Sequence, residues 1–521
     1  MFERAVLIIG IDGGTWSVLR PAILAGAMPH LAGLLDEAAW GVCESTVPAI
    51  TPAAWSSFQV GAGPGRTGIV DFTEWDRQKR TYLPADTRRL PRTMWEVAGS
   101  AGARVGVMNL PMSWPPRAVN GYLVSGLMTP SFESGFTWPP DLAVELLEAN
   151  PGYHLFDLDT VVDEASHESL DSFLDWICAI VEGRSRAARW LISKEPLDLF
   201  MVHFQAVDIL QHVLWAYLDP QHPRFDIGRN QLIQERFFGT LDREIARIRG
   251  SFAASTSGAW LTLMISDHGF QTHIGRFSLW QWLKEEGFLQ VDLTGATMTP
   301  LVRLKEENID EVGPPLDFER SSAFSTGRSN EAFIYLLEQG EARKRTGNVL
   351  RKRLEEIRDP VTGHPVVERV MWREELYHGD RMGELPDLIV VPAGGWSVTG
   401  RWEPDPSLFR PIIPGEDFHV GRHHPDGIVV AAGSGVKRGE GCRARLIDIA
   451  PTVLACMGIT SPSEMDGVPL QALFEAELST STTAPLRKVS DDETADEPVG
   501  DAYTPEEKAL IEKRLKDLGY L

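Results

Sequence analysis

The sequence has 521 residues, 43% hydrophobic and 24% charged, which is the composition of a folded chain longer than one ordinary domain. Lys and Arg number 50 against 73 Asp and Glu, a formal net charge of -23. That surface excludes a nucleic-acid polymer as partner, because counterion release needs basic groups, but it leaves room for a single nucleotide held by cations.

The run Ala5–Ile11 is continuously apolar and stops at Asp12-Gly13-Gly14, the pattern of a buried parallel strand closed by a tight turn. Asp12 either caps that turn or, standing at the carboxyl end of a strand, binds a cation. Leu31, Leu34 and Leu35 then recur with helical spacing. Thr51 precedes Pro52 and a helical pattern from Ala53 to Gln59, so it reads first as an N-cap. The same helix end offers N–H groups and a positive dipole end to a phosphate, and a hydroxyl there needs a metal to become a nucleophile at neutral pH. A helix is expected over Leu90–Ala98 and a strand over Arg104–Met108, with Asn109 just after it.

The stretch from Asn120 to Ala165 is rich in Pro, Gly, Trp and Phe and reads as an insert above the sheet. Helix Ser169–Ile192 and strand Leu197–His203 follow. In HFQAVDILQHVLW, Asp208 and His212 are spaced i, i+4, which puts a carboxylate and an imidazole on one helix face, able to chelate one cation. Helix Asn230–Ile248 leads to the apolar strand Trp260–Ser266, which ends in Asp267-His268-Gly269. Neighbouring residues point in different directions, so this pair can serve two metals or two edges of one. A second insert runs from Gly269 to Glu384, with two helical patterns and a strand over Ala332–Leu337. Strand Leu388–Val391 comes next, then the loop HVGRHHPDG, in which His419, His423 and His424 are equal candidates on spacing alone. Strand Gly427–Ala431 and helix Ile447–Met457 complete the alternation.

Strands alternating with helices predict an α/β fold with a doubly wound, mostly parallel central sheet and inserted cap regions. The expected organisation is one catalytic domain over 1–475 with cap inserts at about 120–165 and 270–384, a disordered linker over 476–503, and a C-terminal helix over 504–521. That helix opens with the capping box Thr504-Pro505-Glu506-Glu507, repeats Ile511, Leu515 and Leu518 on one face, and can end at Gly519. It needs an apolar surface, on its own domain or on a neighbouring chain in an oligomer. Cys43, Cys178, Cys442 and Cys456 are far apart, no signal-peptide pattern is visible, and no run is long and apolar enough to span a membrane, so a cytoplasmic location is expected.

Three Asp and three His, most at strand ends, form the mixed ligand set of two divalent metal ions, zinc first and manganese as the alternative. No H-E-x-x-H zincin motif, P-loop, dinucleotide fingerprint or G-x-S-x-G elbow is present. The order and wording of these segments resemble the alkaline phosphatase superfamily, and within it the type I phosphodiesterase and nucleotide pyrophosphatase branch. The IDG turn, the Thr before a Pro-containing helix start, D-x-x-x-H, SDHG, the late G-x-H loop and the segment IDIAPTVLACMGITSPSEMDGVPL carry the likeness, from Val6 to about Leu470.

The resemblance implies an alkaline-phosphatase-type sheet with one metal on Asp208, His212 and His423, and the other on Asp12, Asp267, His268 and the Thr51 oxygen. It selects His423 through Gly421-Arg422-His423. It implies a phosphothreonine intermediate on Thr51 and a small phosphorylated substrate, a phosphodiester or a nucleotide pyrophosphate. One departure stands out: where relatives carry an Asn that contacts a phosphate oxygen, this chain has Ala54 and then Trp55. Asn109 is the substitute expected for it. A phosphomonoesterase or phosphonate hydrolase of the same fold is the alternative, and a non-catalytic metal-binding protein is the reading from another class. A sulfatase is excluded by TPAAW, which lacks the C/S-x-P-x-R context of that branch.

Overall fold

The computed structural model describes residues 3–76, 81–156, 169–291, 316–327, 331–413, 417, 419–478 and 501–517. Its centre is a nine-stranded sheet in the order Gly439–Arg445, Ala39–Glu44, Asp426–Gly433, Trp260–Ile265, Ala5–Ile11, Leu199–Phe204, Val105–Leu110, Gly121–Ser125, Thr137–Trp138. The five strands from Trp260–Ile265 to Gly121–Ser125 run parallel. Asp426–Gly433 is antiparallel to both neighbours.

Alternation along Ala5–Ile11 divides the core in two. Leu7, Ile9 and Ile11 pack with Phe173, Leu174 and Ile177 of helix Leu170–Lys194 on one face. Val6 and Ile8 pack with Trp55, Phe58, Val453 and Leu454 on the other. A strand covered on both faces needs apolar side chains at every position, which is why the sequence shows a run rather than an alternation. The doubly wound, mostly parallel architecture is therefore the one expected.

Two strand expectations need correcting. Gly121–Ser125 and Thr137–Trp138 lie in the first insert, yet they form the edge of the central sheet. Leu388–Pro392, expected in the central sheet, belongs instead to a second, four-stranded antiparallel sheet with Ala323–Thr326, Ala332–Leu336 and Val367–Trp372. This cap sheet has its own core, which includes Phe277, Phe324, Ile334, Leu350 and Ile389. A strand buried on both sides reads alike in either sheet, so its sequence cannot say which one it joins.

The expected linker falls almost wholly outside the described residues, as does Gly519. The C-terminal helix, Pro505–Asp517, docks on its own chain. Thr504 and Glu507 form the expected capping box, with Thr504 N–H donating to Glu507 Oε2 at 3.0 Å and Glu507 N–H to Thr504 Oγ1 at 3.2 Å. Ile511 and Leu515 are buried in the larger core, and Tyr503 stacks on Trp114 with ring centroids 4.7 Å apart. Arg514 lies over the Phe156 ring and donates to the Thr129 and Pro130 carbonyls.

Candidate active site

The candidates gather beyond the carboxyl ends of the parallel strands, the edge at which open α/β sheets place their ligands. Asp12 follows Ala5–Ile11, Asp208 sits in the first turn of the helix Ala206–Leu218 after Leu199–Phe204, and Asp267 and His268 follow Trp260–Ile265. The antiparallel strand Asp426–Gly433 starts at this same edge, so the chain entering it, Gly421–His424, delivers His423 there.

The first cluster is Asp208, His212 and His423. His212 Nε2 lies 3.4 Å from Asp208 Oδ1 and 3.0 Å from His423 Nε2, and His423 Nε2 is 3.3 Å from Asp208 Oδ1. Burial pushes the Asp208 carboxyl up, but the His212 and His423 imidazoles more than reverse this and hold it well below the usual carboxylate range. Among the three loop histidines, His423 brings its Nε2 to 3.3 Å from Asp208 Oδ1. His424 Nδ1 accepts from Asp426 N–H at 3.0 Å, and the His419 ring lies 4.8 Å from that of His212.

The second cluster is Asp12, Asp267, His268 and Thr51. His268 Nε2 is 3.2 Å from Asp267 Oδ2 and 3.5 Å from Asp12 Oδ1. Asp267 and His268 converge rather than diverge, because the strand ends at Ile265 and the chain leaves the pleat before them. Burial, then the Asp12 charge beside it, raises the Asp267 carboxyl well above its ordinary range. Burial, then the neighbouring His423, lowers the His268 imidazole to about 3, which keeps it in the neutral form that binds metal. The His268 and His423 rings stack 3.6 Å apart, so the two clusters share a wall.

Thr51 is not an N-cap. Ile50 occupies that position in extended conformation, and Thr51 is the first residue of the helix Thr51–Val60. Its hydroxyl instead lies 3.5 Å from both Asp12 Oδ1 and His268 Nε2. A helix start also leaves N–H groups without intrahelical carbonyls, and these face whatever the hydroxyl faces.

Two positioning residues escaped the sequence reading. Trp55 Nε1 donates to Asp12 Oδ2 at 3.1 Å, and His203 Nε2 lies 3.0 Å from the same oxygen, which leaves Oδ1 turned to the cluster. A signal existed for His203, since it is the one polar side chain in the wholly buried strand LFMVHF and such a group needs a partner. The backbone N–H of Gly13 occupies Asp267 Oδ1 at 3.2 Å. Gly13 has φ 67°, and an added Cβ would sit 2.8 Å from the Phe270 ring, so glycine is required. Asn109, the expected substitute for the missing amide at position 54, turns its side chain to residues 153 and 155. Its Nδ2 donates to Leu155 O at 2.9 Å and its Oδ1 accepts from Tyr153 OH at 2.7 Å, bonds that tie down residues 153–155.

The donor set fits divalent cations. Two groups of three, Asp208-His268-His423 and Asp12-Asp267-His268, each bring their ligand atoms within 4.8 Å of one another, all buried. Asp267 Oδ2 is buried without a hydrogen bond. Adjacent buried carboxylates without compensating charge are costly, and a cation removes that cost.

The doubly wound sheet, with this donor set at its carboxyl edge, has the alkaline-phosphatase architecture. The chain belongs to the type I phosphodiesterase / nucleotide pyrophosphatase family, whose model matches residues 6–426. It is a phosphoric ester hydrolase. Solved structures share the fold at low identity. Phosphonoacetate hydrolase from Sinorhizobium meliloti 1021, in complex with phosphonoformate, is 15% identical with a TM-score of 0.54, covering 88% of this chain and 96% of that one. Human ectonucleotide pyrophosphatase / phosphodiesterase 5 is 15% identical with a TM-score of 0.53, covering 91% and 100%. An inactive threonine-to-alanine variant of the murine protein, in complex with AMP, is 14% identical with a TM-score of 0.52, covering 90% and 100%. No curated protein matches the chain.

Proposed function

We propose that this chain hydrolyses phosphodiester or nucleotide pyrophosphate bonds in a small phosphorylated substrate, with Thr51 as nucleophile. The observation that carries the reading is the Thr51 hydroxyl, 3.5 Å from Asp12 Oδ1 and from His268 Nε2 at the start of a helix. Asp208, His212 and His423 would hold one cation. Asp12, Asp267, His268 and the Thr51 oxygen would hold the other, zinc by the mixed nitrogen and oxygen donors, or manganese. When bound, such ions act as Lewis acids that neutralise the charge developing on phosphoryl oxygens.

The rest is done by the chain itself. Asp12 orients the Thr51 hydroxyl, and the helix end behind it receives the phosphoryl oxygens. Thr51 Oγ1 forms a bond to phosphorus as the bond to the leaving oxygen breaks, giving a phosphothreonine. Water then attacks phosphorus and releases Thr51. A second reading, phosphonate or phosphomonoester hydrolysis at the same centre, is favoured by Ala54, which is buried among apolar side chains and offers no amide to a phosphate oxygen.

A panel of an aryl phosphodiester, an aryl phosphomonoester, a nucleoside triphosphate and a phosphonate, run on the zinc- and manganese-loaded protein, tests both readings. The diester or triphosphate is expected to turn over fastest. Thr51→Ala is expected to lose at least about 10³-fold in kcat. Activity that survives in Thr51→Ala would remove the covalent step, and a preference for the monoester or phosphonate would move the assignment to the second reading.

A further inference from the structure

The backbone just before Thr51 is held from two directions. Ala49 C=O accepts from His423 Nδ1 at 3.2 Å, the ring whose Nε2 faces Asp208. Ala49 N–H donates to Glu331 Oε1 at 3.3 Å. Glu331 belongs to the cap, directly before its strand Ala332–Leu336, and is 8% exposed. A second cap residue, Tyr377, donates its hydroxyl to Val47 O in the same loop. Arg422, next to His423 and 5% exposed, carries the charge that counters Glu331, and each carries the opposing charge in the other's electrostatic surroundings. One peptide residue, two positions before the nucleophile, therefore joins the cap to a ligand of the metal centre.

We propose that Glu331 is a positioning residue for the reaction: by accepting the Ala49 N–H it fixes the loop that sets the Thr51 hydroxyl against Asp12 and His268. The inference rests on the reading of Thr51 as nucleophile. The chemistry required of residue 331 is a buried acceptor at one point, with no contact to substrate. A carboxylate oxygen supplies this, and so does a carboxamide oxygen of the same length. Displacement of a reacting atom by about 1 Å costs on the order of 10²-fold in rate, so slack two residues upstream of Thr51 is expected to reach the chemistry.

Two variants separate the acceptor from the bulk of the side chain. Glu331→Gln keeps an acceptor oxygen in place, and Glu331→Met keeps the volume and removes it. With an aryl phosphodiester, Glu331→Met is expected to lower kcat by at least about tenfold while KM stays within about threefold, and Glu331→Gln to stay within about threefold of the parent in both. Hydrogen exchange on the metal-free protein gives a readout independent of turnover. The peptide spanning residues 45–51 is expected to exchange at least about tenfold faster in Glu331→Met and at the parent rate in Glu331→Gln.

Equal kcat in Glu331→Met and the parent, or unchanged exchange, would overturn the proposal. So would a Gln variant as damaged as the Met variant, or a loss confined to KM, which would make Glu331 a substrate contact. Thr51→Ala run in parallel separates the two layers of the argument. Retained activity there defeats the nucleophile assignment, while the exchange data still decide whether Glu331 holds the loop.

Discussion

At the scale of single residues, the site is a set of oxygens each divided between two tasks. Asp12 gives Oδ2 to Trp55 and His203 and keeps Oδ1 for the cluster, and Asp267 gives Oδ1 to Gly13 N–H. Partners behind a metal ligand fix its orientation, and losing one usually costs 10–100-fold in affinity. His203→Leu, which removes the ring nitrogen from a buried position, is therefore expected to weaken zinc binding by about 10–100-fold in a chelator competition, with the fold intact by circular dichroism. Unchanged affinity would deny His203 any part in holding Asp12. Most of this was legible in the sequence because the ligands stand at strand ends or at helical spacing. Thr51 was legible for a reason that proved incomplete: Pro52 marked a helix start, but Ile50 takes the cap and frees the hydroxyl. The supports were hidden, because Trp55 and His203 reach Asp12 from 43 and 191 residues away. Asn109 could not be placed from its sequence, since a polar residue after a strand looks the same whether it meets substrate or only Tyr153 and Leu155, to which its amide bonds here.

At the scale of elements, the sequence was clearest where one strand lies between two layers of helix. Ala5–Ile11 and Trp260–Ile265 stand out because apolar side chains of both cores cover their two faces. Leu388–Pro392 was assigned to the wrong sheet because its apolar run is equally at home in the cap core. Gly121–Ser125 disappeared into a segment whose Pro and Trp content pointed to a loop. The C-terminal helix could not be placed from its pattern, which names an apolar face but not its partner. The structure seats Ile511 and Leu515, each 1% exposed, against the larger core. Leu515→Ala is expected to cost about 2–5 kcal/mol in urea unfolding of the single chain, through lost burial and the cavity left behind. A helix that served a neighbouring chain instead would show no such loss at low protein concentration.

At the scale of the whole molecule, the ligand clusters bring together buried carboxylates that repel when no cation lies between them; burial, and then the Asp12 charge, raises the Asp267 carboxyl. A cation that binds only the folded chain adds about 2.7–4.1 kcal/mol of stability when free metal stands at 100 to 1,000 times its Kd. Stripping metal with a chelator is therefore expected to lower the Tm by several degrees, and returning zinc to restore it. A Tm indifferent to both would count against ions at these clusters.

The strand Asp426–Gly433 runs against its neighbours, and that reversal lets the chain deliver His423 to an edge that Asp12 and His212 already occupy. His212 and His423 are 211 residues apart. At ribosomal rates of about 5–20 residues per second, that interval is roughly 10–40 s. The first cluster is thus incomplete for most of the chain's birth, so an unfinished polypeptide carries Thr51 and five of the six Asp and His candidates before His423 arrives.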